Sequence, residues 1–133
     1  MKKLAAVALV AFAGIAHAWK EPAWTRSNAE RAEHSTVVFV AIVESVSDTP
    51  LRALDDYPLR KASVRVDKIQ KSNELLNRQP LEVFFYKPRS PGPDRGWVSL
   101  AVGQRAVFYA RARSLKAGKP VLFLDFQSDV QAP

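Results

Sequence analysis

The sequence predicts a mainly β fold, a small antiparallel barrel of five to six strands preceded by one short helix. Runs of alternating apolar and polar residues recur along the chain at the length of strands. Clusters of proline, glycine and aspartate separate these runs, and one segment has the start signal of a helix. A closed barrel is favoured because it removes most exposed strand edges, and a two-sheet sandwich is the alternative.

The start of the chain has the three zones of a secretory signal peptide. Two lysines precede an apolar run from Leu4 to Ile15, and Ala16 to Ala18 offers small residues for cleavage before Trp19. The apolar run is shorter than the roughly 20 residues that span a bilayer. We therefore expect residues 1–18 to be removed and residues 19–133 to form a single β-barrel domain, periplasmic or secreted, without a membrane span.

Composition limits the classes of function. The chain has 20 Lys and Arg against 13 Asp and Glu, a formal charge of +7 that falls to +5 without the two leader lysines. A basic surface favours acidic proteins, anionic lipid head groups, polyanionic glycans or nucleic acid as partners, and the alternative is a solvated surface without a dedicated anion site. Cysteine is absent, which excludes thiolate catalysis, a disulfide framework and cysteine zinc sites.

The helix is predicted near the start of the mature chain. Ser27 and Glu30 have the spacing of a capping box, which predicts a short helix from Asn28 to His34. Ala32 is expected to pack against the sheet, and Arg31 is expected to face solvent.

Two strands are predicted next. Thr36 to Val46 is β-branched or apolar at nearly every position, which indicates a core strand. Asp48 to Pro50 predicts a turn, and a polar loop then leads to an alternating run. That run has Ala62, Val64 and Val66 on its predicted buried face, and its predicted solvent-exposed face has Lys61, Ser63, Arg65 and Asp67.

The second half of the chain predicts four further strands and a long loop. Leu81 to Tyr86 is a strand with Phe84 and Tyr86 outward, and residues 87–96 contain three prolines and two glycines, typical of a loop. The remaining segments are predicted as a brief strand at Trp97 to Leu100, strands at Arg105 to Arg113 and Val121 to Phe126, and a frayed tail from Gln127.

Three of these segments also carry a family resemblance. They are V-F-V-A-x-V at Val38 to Val43, A-x-V-R-V-D-K-I-Q-K at Ala62 to Lys71, and V-G-Q-R-A-V-F at Val102 to Phe108. Together with the order of elements, they resemble the netrin-like and metalloproteinase-inhibitor-like group of OB-fold domains, in a cysteine-free, bacterial-type variant. The resemblance covers most of Glu33 to Phe126 and implies a small antiparallel OB-like barrel that binds without catalysis.

The resemblance also implies a mode of binding. In some members of that group, the processed N-terminus enters a metalloproteinase and chelates the catalytic zinc. Those inhibitors begin with a cysteine that a disulfide holds in place. This chain would begin at Trp19 and contains no cysteine, so its terminus would lose more conformational entropy on binding. Protease inhibition is therefore a minor expectation.

No catalytic residue, metal site or cofactor is predicted. His34 is the one histidine outside the leader, and its position at the end of the helix favours a structural role. Asp55 and Asp56 fit an ordinary turn. The glycines match no phosphate-binding fingerprint, and no serine stands in a nucleophile motif.

Two surfaces are candidates for partner binding. The first, the basic strand face, consists of Arg105, Tyr109, Arg111 and Arg113 at period two on the fourth strand, with Arg65 beside them. Guanidinium groups bind carboxylates or phosphates, and a tyrosine offers a stacking plane, as in OB-folds that bind single-stranded nucleic acid. The alternative for this face is an ordinary solvated exterior.

The second candidate, the aromatic loop surface, joins outward aromatic residues to the proline-rich loop. Its residues are Phe84, Tyr86, Arg89, Arg95 and Trp97. Exposed aromatic and arginine side chains often dominate the energy of protein interfaces. The same aromatic residues could instead fill a second small core.

These observations together predict an exported, non-catalytic module that recognises a protein partner in the cell envelope or outside the cell. The alternative is an OB-like domain that binds a polyanion or nucleic acid through the basic strand face. Salt separates the two, because release of counterions makes polyanion binding fall steeply with ionic strength.

Overall fold

The computed structural model describes residues 26–88 and 96–133. The predicted signal peptide, Arg89 and Arg95 lie outside these described residues. The described part of the chain has one short helix and one six-stranded sheet, which confirms the predicted mainly β class. The elements are α1 (Asn28–Glu33), β1 (Val37–Arg52), β2 (Pro58–Lys71), β3 (Leu81–Tyr86), β4 (Arg105–Arg113), β5 (Val121–Phe123) and β6 (Val130–Gln131), with 3₁₀ turns at Glu74–Asn77 and Gln127–Asp129.

The sheet closes into a ring. Its strand order is β1-β2-β3-β5-β4-β6, and β1 also pairs with β4, which joins five of the strands in a cycle. The pairing of β3 with β5 is parallel, so the prediction of a purely antiparallel arrangement is wrong at this pair. An odd number of strands cannot alternate in direction around a closed ring, so at least one pair must be parallel.

The inward side chains of the ring form the main core. Phe39 of β1 and Phe108 of β4 are completely buried and stack with ring centroids 5.4 Å apart. Val83 and Phe85 also lie in this core, which confirms the inward face predicted for β3. Leu75 packs into the same cluster from the 3₁₀ turn between β2 and β3.

Helix α1 covers the outer face of β1 and β4. Ser27 caps it as predicted, since its hydroxyl accepts a hydrogen bond from the Glu30 amide at 3.2 Å. Ala32 packs on a cluster formed by Val38, Val40, Val107 and Tyr109. Arg31 is only 4% exposed, so its predicted orientation toward solvent is wrong: its guanidinium donates hydrogen bonds to the Asn28 side chain and the Arg26 carbonyl.

The first hairpin is longer than its turn residues suggest. β1 continues through Asp48 to Pro50, and the turn lies at residues 53–57 instead. Asp48 is held in the strand because its carboxylate accepts from Arg60 and Lys87, each at 3.0 Å. Pro50 is tolerated because it sits where the register between β1 and β2 shifts.

The C-terminal segment is ordered, so the predicted fraying from Gln127 is wrong. After β5 ends at Phe123, a 3₁₀ turn leads into β6, which pairs with β4. The Asp129 carboxylate accepts hydrogen bonds from the Asp125 and Phe126 amides, each at 3.1 Å. Residues 97–100 form no strand, and the Gln127 side chain holds them through the Ser99 amide at 2.7 Å. The helices of the described residues are too short or too polar to cross a membrane.

Candidate functional site

The residues of the basic strand face lie on β4 as predicted, but they do not form the predicted exposed row. Tyr109 lies under α1 with 6% of its surface exposed, and the Arg31 guanidinium carbon is 5.6 Å from the centre of its ring. The expectation that Tyr109 lies on an exposed face is therefore wrong. Its ring packs against the protein's own helix and offers no stacking plane to a ligand.

The arginines of this face have carboxylate partners. Arg105 contacts Asp67 at 3.0 Å. Arg111 and Arg113 both contact Asp125, at 3.5 Å and 2.7 Å, and the Asp125 side chain is only 7% exposed. A carboxylate paired in this way reduces the positive potential that a polyanion would meet.

Arg65 lies where the sequence predicts it. It stands opposite Ile42 on β1, and Ile42 in turn stands opposite Arg105 on β4, so the two arginines flank one apolar residue. Arg65 is exposed. The structure thus brings Arg65 and Arg105 into one row and separates both from the buried Tyr109.

The aromatic loop surface is mostly buried. Phe84 is 5% exposed and belongs to a second hydrophobic cluster with Leu59, Leu115 and Phe123. The alternative of a second small core is therefore the correct one for Phe84. Tyr86 and Trp97 are half-buried at the border of this cluster.

These aromatic residues form a continuous series that ends at an arginine. Trp97 stacks on Tyr57 at 5.9 Å, and Tyr57 contacts Tyr86 edge to face at 5.1 Å. Tyr86 contacts Phe123 edge to face at 5.0 Å, and the Arg113 guanidinium lies 5.6 Å from the centre of the Phe123 ring. Such contacts position Tyr86 and Arg113, two of the predicted site residues, on one surface.

That surface is a cleft of about 390 Å³, which we call the hairpin cleft. It forms where the β1–β2 turn meets the connection between β4 and β5. The two connections are joined by a bridge between Ala53 and Leu115 and by an ion pair of Asp56 with Lys116 at 2.8 Å. The lining residues are Ala53, Leu54, Asp55, Tyr86, Arg113, Ser114, Leu115 and Phe123.

The hairpin cleft combines an apolar floor with a few polar groups at its rim. Ala53, Leu115 and Phe123 are buried in the floor, whereas Leu54 at the rim is 69% exposed. Burial raises the pKa of the Tyr86 hydroxyl, and the nearby Asp55 carboxylate raises it further. Tyr86 therefore stays protonated at neutral pH and can donate a hydrogen bond to a bound group.

The chemistry of the cleft suits binding. Its lining contains no histidine, and its polar side chains are those of Asp55, Tyr86, Arg113 and Ser114. Within residues 26–88 and 96–133, no three His, Cys, Asp or Glu side chains cluster as a metal site would require. An apolar floor with convergent polar groups is the usual composition of a binding pocket.

Sequence reasoning missed Tyr57, Leu54 and Phe123. The only local signal was the pair of turn-like segments at residues 55–58 and 115–119, which lie far apart in the chain. Their meeting depends on the ring closure of the sheet, which local patterns do not reveal.

Comparison of the sequence with known protein families and with curated proteins finds no match. The function is therefore inferred from the residues of the hairpin cleft.

Proposed function

We propose that this protein is an exported OB-like barrel that binds a protein partner through the hairpin cleft and catalyses no reaction. The barrel is supported by the ring of five strands, by the parallel β3–β5 pair and by the one short α-helix found in residues 26–88 and 96–133. OB-folds are five-stranded, partly open barrels, and their ligands contact the loops that follow the first and fourth strands. In this chain those are the two connections that build the cleft. The netrin-like resemblance belongs to the same proposal.

The exposure of Leu54 beside an aromatic floor is the observation that carries the proposal. A leucine left 69% exposed at the rim, with Leu51 nearby on the same hairpin at 39%, presents apolar area to solvent. Covering such area on binding stabilises a complex by about 25 cal/mol per Å². Arg113 and Tyr86 add polar groups that fix the orientation of a bound segment, as in the centres of protein interfaces.

Polyanion or nucleic-acid binding receives less support. The three arginines of β4 face carboxylates of Asp67 and Asp125, and Tyr109 is covered by α1. A polyanion would have to displace these carboxylates without gaining an aromatic surface for stacking.

The proposal is tested by capturing partners with a photo-cross-linker placed at position 54 of the protein without residues 1–18. Position 102 is the matched control, because Val102 is also 69% exposed and lies in the turn before β4, outside the cleft. We expect a protein from the host cell envelope to be captured at position 54 and not at position 102, at both low and high salt. A Leu54→Asp variant should lose this partner, whereas Val102→Asp should retain it.

Equal capture at both positions would contradict a specific site in the cleft. Capture of polyanions alone, with release at high salt, would favour the alternative function.

A further inference from the structure

The second half of β2 extends beyond the strand that pairs with its first half. β3 pairs with β2 only from Leu59 to Val64, whereas β1 pairs with β2 as far as Lys71. Residues 65–71 therefore have β1 on one edge and no strand on the other among the described residues. The described chain from 72 to 80 forms no backbone hydrogen bond with this edge. In an antiparallel strand, alternate residues direct both their N–H and C=O groups to opposite edges. The open edge therefore presents backbone donors and acceptors at every second residue.

A groove of about 550 Å³ runs beside this edge. One wall is β2 itself, and the other is formed by Leu76 of the 3₁₀ turn and by residues 79–81 at the start of β3. Leu76 and Leu81 are buried beneath the groove. An extended segment lying in it would have the β2 backbone on one side and apolar side chains below.

Two register shifts between β1 and β2 place the apolar side chains of this edge on one face of the sheet and the cationic side chains on the other. Val66 stands opposite Ala41 and Ile69 opposite Phe39, both core residues, so Val66 and Ile69 belong to the core side. One register shift leaves Asp67 as an extra residue between Val66 and Lys68, and the other leaves Gln70 as an extra residue between Ile69 and Lys71. Each bulge changes the side-chain spacing from two to three.

The same shifts place three cations together on the outer side. Arg65 stands opposite Ile42, Lys68 opposite Val40 and Lys71 opposite Val38. Residues directly opposite each other in a sheet share a face, so Arg65, Lys68 and Lys71 follow one line along the edge. Strict alternation would have separated Arg65 from Lys68.

The net charge along this edge is positive. Asp67 is paired with Arg105 at 3.0 Å, and Glu44 lines the groove as a further carboxylate. Lys71 donates a hydrogen bond to the Ala32 carbonyl at 3.1 Å, a neutral acceptor that brings no negative charge to the edge. On the core side, Ile69 is 51% exposed, so the edge also presents uncovered apolar area.

We propose that the edge formed by residues 65–71 binds an extended acidic segment of a partner protein, which joins the sheet as an additional strand. Its backbone would pair with the open edge of β2, as in other cases of strand addition. Its apolar residues would contact Ile69 and Leu76, and its alternating acidic residues would face Arg65, Lys68 and Lys71.

Charge selects this occupant over a second copy of the chain. Antiparallel pairing of two such edges around a two-fold axis places their outer faces on the same side, so cations would stand against cations. An alternative role for these cations is to protect the edge from aggregation, as lysines on edge strands do. If that were their only role, the edge would not bind an acidic strand. The proposal does not depend on the hairpin cleft.

The test uses a fluorescent peptide of alternating glutamate and valine, seven residues long, and the protein without residues 1–18. We expect binding measured by anisotropy, together with slower hydrogen exchange of amides in residues 65–71 measured by NMR. A peptide of the same charge with proline in place of its central valine should bind at least about tenfold more weakly. The proline has no backbone N–H to donate, so the peptide pairs poorly as a strand. A lysine-valine peptide should not bind.

The double variant Arg65→Glu, Lys68→Glu should weaken binding of the glutamate peptide by at least about tenfold. Lys119→Glu, in the exposed connection before β5, is the control for charge reversal away from this edge and should bind as the unmodified protein does. Leu54→Asp should also bind normally, which separates this edge from the cleft. Absence of binding, binding without protection of residues 65–71, or equal binding by the proline peptide would overturn the proposal. Dimerisation through these residues in sedimentation experiments would show that a second copy is the occupant.

Discussion

The two halves of β2 differ in how the sheet is completed around them. Residues 60–64 pair with β1 on one edge and β3 on the other, whereas residues 65–71 pair with β1 alone. The first half lies at the end of the molecule where Leu59 joins the aromatic cluster of the hairpin cleft. The second half borders an open groove. A closed section of a sheet can position side chains as a pocket, and an open section can offer its backbone.

The largest expected effect separates the closed section from the open one. Leu59→Ala, in the closed first half of β2, should lower the free energy of unfolding by about 2 to 5 kcal/mol, because Leu59 is 1% exposed and truncating its side chain leaves a cavity. Ile69→Ala at the open edge should lower it by less than about 1 kcal/mol. Urea denaturation measures both values, and similar losses in the two variants would contradict the difference between the halves.

Asp125 tests whether the basic strand face is neutralised. Asp125→Asn should lower the free energy of unfolding by about 1 to 2 kcal/mol, because Arg111 and Arg113 lose a buried carboxylate but remain partly exposed. The variant should also bind heparin more tightly at low salt. Asp48→Asn is the control, since Asp48 lies at an exposed ion pair and its replacement should change stability much less than Asp125→Asn does. Unchanged heparin binding by Asp125→Asn would show that this carboxylate does not mask the arginines.

The cap of α1 has a smaller effect. Ser27→Ala removes the acceptor of the Glu30 amide and should lower the free energy of unfolding by about 1 kcal/mol. Since α1 covers Tyr109, the same variant should raise the accessibility of Tyr109 to chemical modification. Ser72→Ala is a suitable control because Ser72 is exposed and lies outside the helices and strands. No difference between the two variants would argue against a stable helix over this face.

The smallest effect is a change with pH. Burial raises the pKa of Asp129 above its usual value of 3.8, so its contribution to stability decreases as pH rises through the folded-state pKa. Ion pairs lower the pKa values of Asp48 and Asp56, the first through Lys87 and the second through Lys116, so their contributions are lost as pH falls below 3.8. The stability of Asp129→Asn relative to the original protein should therefore increase as pH rises above 3.8. Urea denaturation across this range measures the difference, and a difference independent of pH would contradict the assignment.

Strand positions could be predicted because the side chains of a strand alternate between its faces. Val83 and Phe85 point inward as that pattern predicts. Asp48 to Pro50 was harder to predict, because the contacts that keep Asp48 in a strand come from Arg60 and Lys87, distant in sequence. The ordered tail depends in the same way on pairing of β6 with β4.

The candidate sites were predictable only in part. Tyr86 and Arg113 were identified from alternation, but the cleft that joins them is built by two connections that meet when the ring closes. The row of Arg65, Lys68 and Lys71 depends on bulges, and a bulge leaves little local signal in the sequence. The burial of Tyr109 follows from the docking of α1, which pairs residues from distant parts of the chain.

Hydrogen exchange of single amides in the unbound protein tests most directly whether the halves of β2 differ. Amides of residues 60–64 have strand partners on both edges, so we expect all of them to exchange slowly. About half of the amides in residues 65–71 should exchange at least about tenfold faster, because they point to the open edge. Uniformly slow exchange from 60 to 71 would show that the edge is already covered, and it would contradict both the comparison and the proposed docking site.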